Sequence, residues 1–188
     1  MSDEISTLSL DSAALGLVLH LRRHGHTALW VGGCVRDRLL QLPLKDIDIA
    51  TDARPESLTS ILEGVRLVGA QFGVALVPWQ GHWFEVATFR RDGRYVDLRR
   101  PESVTFGTLE DDARRREFTI NALYYDPVDD RVIDLVGGRD DLAARRLRTV
   151  GDPAERFAED ALRLLRAERF AARLGFAIDP PTWASLCD

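Results

Sequence analysis

The sequence predicts an α+β fold, a sheet interleaved with helices and followed by a short helical portion. Three observations carry this. Residues 66 to 90 hold three runs rich in β-branched and aromatic residues, bounded by glycines. The segments around them carry helix signals, namely capping residues, prolines in first turns and apolar residues three and four apart. Beyond Gly137-Gly138 almost every segment reads as helix.

Taken in order, Asp11 caps a helix to about His24, with Leu15, Val18 and Leu19 forming its apolar stripe. A short strand, Ala28 to Val31, leads through a Gly32-Gly33 turn to a helix from about Val35 to Gln41. An alternating strand follows from Asp46 to Ala50. Pro55 starts a helix to about Glu63, closed by Gly64. Arg66 to Val68, Gly73 to Pro78 and Trp83 to Arg90 are strands of one sheet, the last two joined by a Gln80-Gly81 turn. From Thr108 the pattern is helical, and Leu123 to Tyr125 with Val132 to Leu135 flank a Pro127 to Asp130 turn. Past the Gly137-Gly138 joint come helices at Asp140 to Ala144, Pro153 to Phe157 and Asp160 to Leu174, with a last one begun by Pro180-Pro181; Leu147 to Val150 is the exception.

A length of 188 residues suits one domain, or one domain with a small helical appendage. The boundary is expected at the glycine pair, giving residues 1–136 and 137–188. No apolar run approaches the roughly 18 residues of a membrane span. Met1 to Leu10 carries two acidic residues and no basic cluster, so it does not read as a secretory signal, and the expected location is the cytoplasm. Cys34 and Cys187 are too far apart for a disulfide framework or a thiolate zinc site. The net charge of −5 argues against wholesale coating of nucleic acid. The positive charge is nonetheless clumped, at Arg114 to Arg116 and at Arg163, Arg166, Arg169 and Arg173, with Lys45 the only lysine.

Asp46-Ile47-Asp48-Ile49 alternates acid and apolar, so on a strand both carboxylates share one face, about 6–7 Å apart. Two such charges disfavour each other unless something positive stands between them, and a divalent cation with oxygen ligands is the usual solution. Alone, the pair reads more readily as an edge strand with a solvated acidic face. It has Gly32-Gly33 just upstream, however, where backbone N–H groups and a helix start can meet an anion without a side chain in the way. Arg36 follows in that helix. Glycines, an arginine and a twin carboxylate about ten residues later describe a triphosphate held beside metal ions. Glu85, on a neighbouring strand, is available as a third acid.

These residues resemble the class II tRNA nucleotidyltransferases, the bacterial CCA-adding enzymes and their poly(A) polymerase relatives. Val31 to Asp37 followed by Asp46 to Thr51 is similar to that family's nucleotidyltransferase signature, Arg115 to Leu123 to its ribose and phosphate motif, Gly137 to Leu142 to its hinge and Glu159 to Arg163 to its base-selecting motif. The resemblance implies a mixed, mainly antiparallel five-stranded palm sheet with an all-helical neck. It implies that Asp46 and Asp48 hold magnesium in a two-metal site, and that Gly32, Gly33, Arg36 and Arg116 meet the incoming triphosphate. Asp160, Arg163, Arg166 and Arg169 would contact the nucleotide. One departure stands out: Glu117 occupies a position where the family usually has Asp, in a motif thought to read the ribose 2′-hydroxyl.

If Asp160 and Arg163 lie on one helical face, an acceptor and a donor fork can meet the edges of cytosine and adenine together and reject uracil and guanine. The expected activity is addition of C and A from CTP and ATP to a tRNA 3′ end. The rivals are a poly(A) polymerase, a partial CC-adding or A-adding enzyme, and a fragment that binds nucleotide or RNA without chemistry. Asp92 to Pro101 resembles the loop needed for the final A, which disfavours a CC-only enzyme. Relatives are about twice as long, so a truncated neck is expected.

Overall fold

A computed structural model describes residues 8–95 and 98–187. The reading of the first ten residues lies mostly outside that range, and so does part of the 92–101 loop.

The first helix, α1 (Leu10–Arg23), begins two residues earlier than expected because Ser9, not Asp11, is the cap: its Oγ accepts the Ser12 N–H at 3.3 Å. Asp11 instead lies in the first turn, at the positive helix end. Ala13, Ala14, Leu17, Val18 and Leu21 form the buried side, facing β1 (Ala28–Val31) and the sheet. The next helix, α2 (Gly33–Leu39), starts two residues before the expected position, with Gly32 as its cap.

Among the described residues, seven strands form the main sheet, in the order β3-β4-β5-β2-β1-β8-β9. They are β1, β2 (Asp48–Thr51), β3 (Arg66–Gly69), β4 (Val74–Trp79), β5 (His82–Thr88), β8 (Leu123–Asp126) and β9 (Arg131–Asp134). The sheet is mixed and mainly antiparallel, as expected, with β2 and β5 its parallel pair. The count of five is corrected to seven. All four residues of β1 are buried, so a bare outer edge there would leave backbone groups without water or partners, and the β8–β9 hairpin closes it. Gln80 and Gly81, with φ of 47° and 85°, make the tight β4–β5 turn.

Between β1 and the hairpin lie α3 (Pro55–Ile61), the ribbon of β6 (Arg90–Asp92) and β7 (Val104–Phe106), and α4 (Leu109–Arg114). A reciprocal capping box of Thr108 and Asp111 starts α4. The sequence gives no signal for β7, which is three residues long in a polar, proline-bearing stretch.

Asp134 accepts the N–H groups of Val136, Gly137, Gly138 and Arg139 and so starts α5 (Gly138–Ala143). The chain beyond α5 is not wholly helical: β10 (Arg146–Leu147) pairs in parallel with β11 (Ala177–Ile178) beside α6 (Pro153–Glu159), α7 (Leu162–Leu174) and α8 (Pro180–Cys187). Phe118 meets Phe170 of α7 edge-on at 5.9 Å, so one apolar cluster runs from the sheet into the helical portion.

Candidate active site

Ile47 and Ile49 are 2% and 0% exposed, whereas Asp46 and Asp48 face solvent. The alternation therefore puts both carboxylates on one side, although the strand proper begins only at Asp48. Parallel pairing of Ile49 with Val86 sets Glu85 beside Asp48. Partial desolvation, then Glu85 and then Asp46 push the Asp48 carboxyl up to about 6, against an opposing pull from Arg116. Like charges concentrated on oxygen donors at an open surface suit a divalent cation, so the donor set fits the expected metal. Among the described residues, no three His, Cys, Asp or Glu groups converge into a ready ligand cluster.

Asp46 and Asp48 border an open cavity of about 350 Å³ whose wall includes Gly32, Gly33, Arg36, Arg116, Arg166 and Arg169. Gly32 has φ 79° and ψ −128°, a conformation only glycine adopts without strain, and it turns the chain from β1 into α2. Arg36 is buried under this turn. It donates to Asn121 Oδ1 at 2.5 Å and to Asp37 at 2.6 and 2.8 Å, with its guanidinium over the Phe170 ring. Among the described residues, Lys45 and Arg173 bring the cationic residues on the wall to six, against the acids Asp37, Asp46, Asp48 and Glu117. The excess of two positive charges suits a polyanion.

Arg116 is tied back by Asp112, which is 1% exposed. Burial disfavours both charges, yet Arg116 and Arg115 hold the Asp112 carboxyl down to about 2, and Asp112 keeps Arg116 firmly protonated. Glu117 accepts from Arg166 at 2.6 Å and from Asn121 at 3.2 Å; against its burial, these partners hold its carboxyl below the usual range. The Glu117 carboxylate thus faces protein partners from both sides of the cavity.

The structure separates the residues expected to contact the nucleotide. Arg166 and Arg169 line the cavity of the twin acids, while Asp160 and Arg163 line a neighbouring one of about 360 Å³, with Arg116 and Glu117 forming the shared wall. The single helix from Asp160 is also corrected. Asp160 is extended at φ −146° and ψ 106°, its Oδ1 accepts the Leu162 N–H, and α7 starts after it. A short polar side chain before a helix prefers this capping role to an interior place. Arg163 is in the first turn and donates to Glu159, the Arg156 carbonyl and Tyr95 Oη. The two side chains share a cavity, but not through a common helical face.

Glu85 does not line either cavity; it reaches the site through its charge. Three further wall residues, Asn121, Lys45 and Phe170, are not singled out by the sequence. Asn121 was within reach, since it falls inside the Arg115 to Leu123 motif. Phe170 was not, because a lone aromatic in a helical stripe reads as core; here its ring lies under Arg36, Arg166 and Arg169 at 5.2–5.3 Å.

Residues 28–148 match the family model described as the poly A polymerase head domain. The CCA-adding enzyme of Geobacillus stearothermophilus is 49% identical over 170 residues, covering 90% of this chain and 42% of that protein. The crystal structure of the Bacillus stearothermophilus CCA-adding enzyme in complex with CTP superposes with a TM-score of 0.86 at 42% identity, over 95% of this chain and 43% of that one. A tRNA nucleotidyltransferase complexed with a primer tRNA and an incoming ATP analog superposes with a TM-score of 0.73 at 32% identity, over 92% and 48%. The chain thus spans less than half the length of these relatives.

Proposed function

We propose a function from one premise: the chain belongs to the poly A polymerase head-domain family. In this reading it carries the catalytic portion of a template-independent enzyme that adds C and A, from CTP and ATP, to the 3′ end of tRNA with release of pyrophosphate. One observation carries the reading, the gathering of Asp46 and Asp48 with Gly33, Arg36 and Arg116 around a single open cavity. The relatives solved with CTP, with primer tRNA and with an ATP analog support it.

The chemistry asks for alignment and charge neutralisation rather than covalent help. Gly32 and Gly33 let phosphate oxygens approach the backbone, and Arg116, Arg166 and Lys45 offer charge along the triphosphate. Asp46 and Asp48 would hold divalent cations, Mg²⁺ in a two-metal arrangement, which when bound supply Lewis-acid neutralisation at the reacting oxygens. Glu85 acts as the third acid by its charge on Asp48. Asp160 and Arg163 read the base from the adjoining cavity, which requires Arg163 to exchange Glu159 for the base edge. Phe118 and Phe170 join residues 1–136 to the helical portion from 137 onward. We place the protein in the cytoplasm; among the described residues no helix is long and apolar enough to cross a membrane.

Primer extension decides the matter, using labelled tRNA lacking its CCA end, each NTP singly and together, and Mg²⁺. CCA addition that is abolished in Asp46→Ala and Asp48→Ala is the expected result. A poly(A) tail or a partial CC or A product would reassign the substrate range. Incorporation undiminished in either alanine variant would overturn the reading, and nucleotide binding without incorporation would leave a non-catalytic module.

A further inference from the structure

We propose that Asp112, aided by Tyr124, is a positioning residue that aims one face of the Arg116 guanidinium at the glycine turn. The inference rests on the reading of Arg116 as a triphosphate contact.

Asp112 lies in α4, away from the lining of both cavities described above. Its Oδ2 accepts from Arg116 Nε at 3.2 Å and Nη2 at 2.9 Å, and from Tyr124 Oη at 2.6 Å. Tyr124, fully buried on β8, also contacts Arg116 Nε at 3.1 Å. Two of the three guanidinium nitrogens are therefore committed to the protein. The third, Nη1, is turned the other way: a Cβ built on Gly32 would stand 3.5 Å from it. An arginine fork held on one side by a carboxylate presents its remaining donors in a fixed plane, which a free, rotamer-rich side chain does not. The other oxygen, Oδ1, holds Arg115 at 2.6 and 2.8 Å, so the carboxylate cannot swing away without breaking a second ion pair.

A purely electrostatic role makes the opposite prediction. Asp112 is a negative charge within 3 Å of Arg116, and removing it without disturbing geometry makes the cavity more positive and strengthens triphosphate binding. Positioning predicts weakening. The sign of the change separates the two.

The test is equilibrium binding of CTP and CMP by calorimetry to the 188-residue chain and to Asp112→Asn, Tyr124→Phe, Arg116→Ala and Asp112→Asn with Arg116→Ala. We expect Asp112→Asn to weaken CTP about tenfold, the scale of one charge-assisted hydrogen bond, with CMP changed less than about twofold. In the Arg116→Ala background the loss disappears, because the effect passes through that side chain. Should Asp112→Asn fail to fold, Tyr124→Phe decides: about threefold weaker CTP binding is expected, again absent without Arg116. Unchanged or tighter CTP binding, or losses that add to Arg116→Ala, would overturn the inference while leaving the functional reading intact. An Arg116→Ala variant that binds CTP normally would overturn both.

Discussion

Replacing Asp48 with asparagine should stabilise the chain in the absence of metal while removing its response to metal. The carboxyl sits at about 6 in the folded state against an ordinary value of 3.8, raised by partial desolvation, Glu85 and Asp46 in that order. That difference corresponds to at most about 3 kcal/mol of folding free energy. Asp48 is exposed at the mouth of an open cavity, so water and salt reduce the cost to about 1 kcal/mol. Its sign follows from linkage. Well below pH 3.8 the group is protonated in both states and costs nothing; the penalty grows as pH rises through 3.8 towards 6 and is constant above. Urea unfolding in EDTA across pH 3.5 to 8 measures this. The advantage of the variant should be small near pH 3.5 and reach about 1 kcal/mol by pH 7, with an unchanged m value. Added Mg²⁺ should raise the midpoint of the parent and not that of the variant. A variant no more stable than the parent at pH 7 in EDTA, or an advantage independent of pH, would refute the reasoning.

Three further expectations rest on single contacts. Glu85→Gln removes one of the charges that raise Asp48, so the same titration should shift its window to lower pH and divalent affinity, read by Mn²⁺ electron resonance, should fall about tenfold. Gly32→Ala forces an L-residue into φ 79°, costing about 2 kcal/mol in urea unfolding and weakening CTP binding. Gly138→Ala drives a methyl into the Thr119 carbonyl, where backbone cannot yield, so thermal unfolding should show about 3 kcal/mol lost with the CTP site otherwise unaltered.

Much of this site was legible because it is encoded locally. Acid and isoleucine alternate at 46–49, and burial of the two isoleucines is enough to present the two acids together. The glycine pair could be placed because it falls between an apolar strand and a helix start, and there Gly32 takes up φ 79°. What escaped depends on distant partners. Arg116 is only four residues from Asp112, but nothing nearby announces that Tyr124 of β8 will share the same oxygen, and Phe170 becomes a platform only when α2 arrives from the other side of the chain. Asp160 was misplaced for a different reason: a carboxylate at i and an arginine at i+3 suit a helix interior and a capping turn equally well. The β8–β9 hairpin was visible, but its docking on β1 is set by burial of a strand more than ninety residues upstream.

That long-range pairing affects how the molecule is made. Trp30 meets Tyr125 across the sheet, and a ribosome adding about 5–20 residues per second releases the second partner roughly 5 to 20 seconds after the first. Throughout that interval the apolar strand at 28–31 has an unguarded flank able to recruit a neighbouring nascent copy. A shortened gene product ending ahead of Leu123 would retain the acids and the glycines, and would be expected to emerge as aggregate rather than as a weakened catalyst.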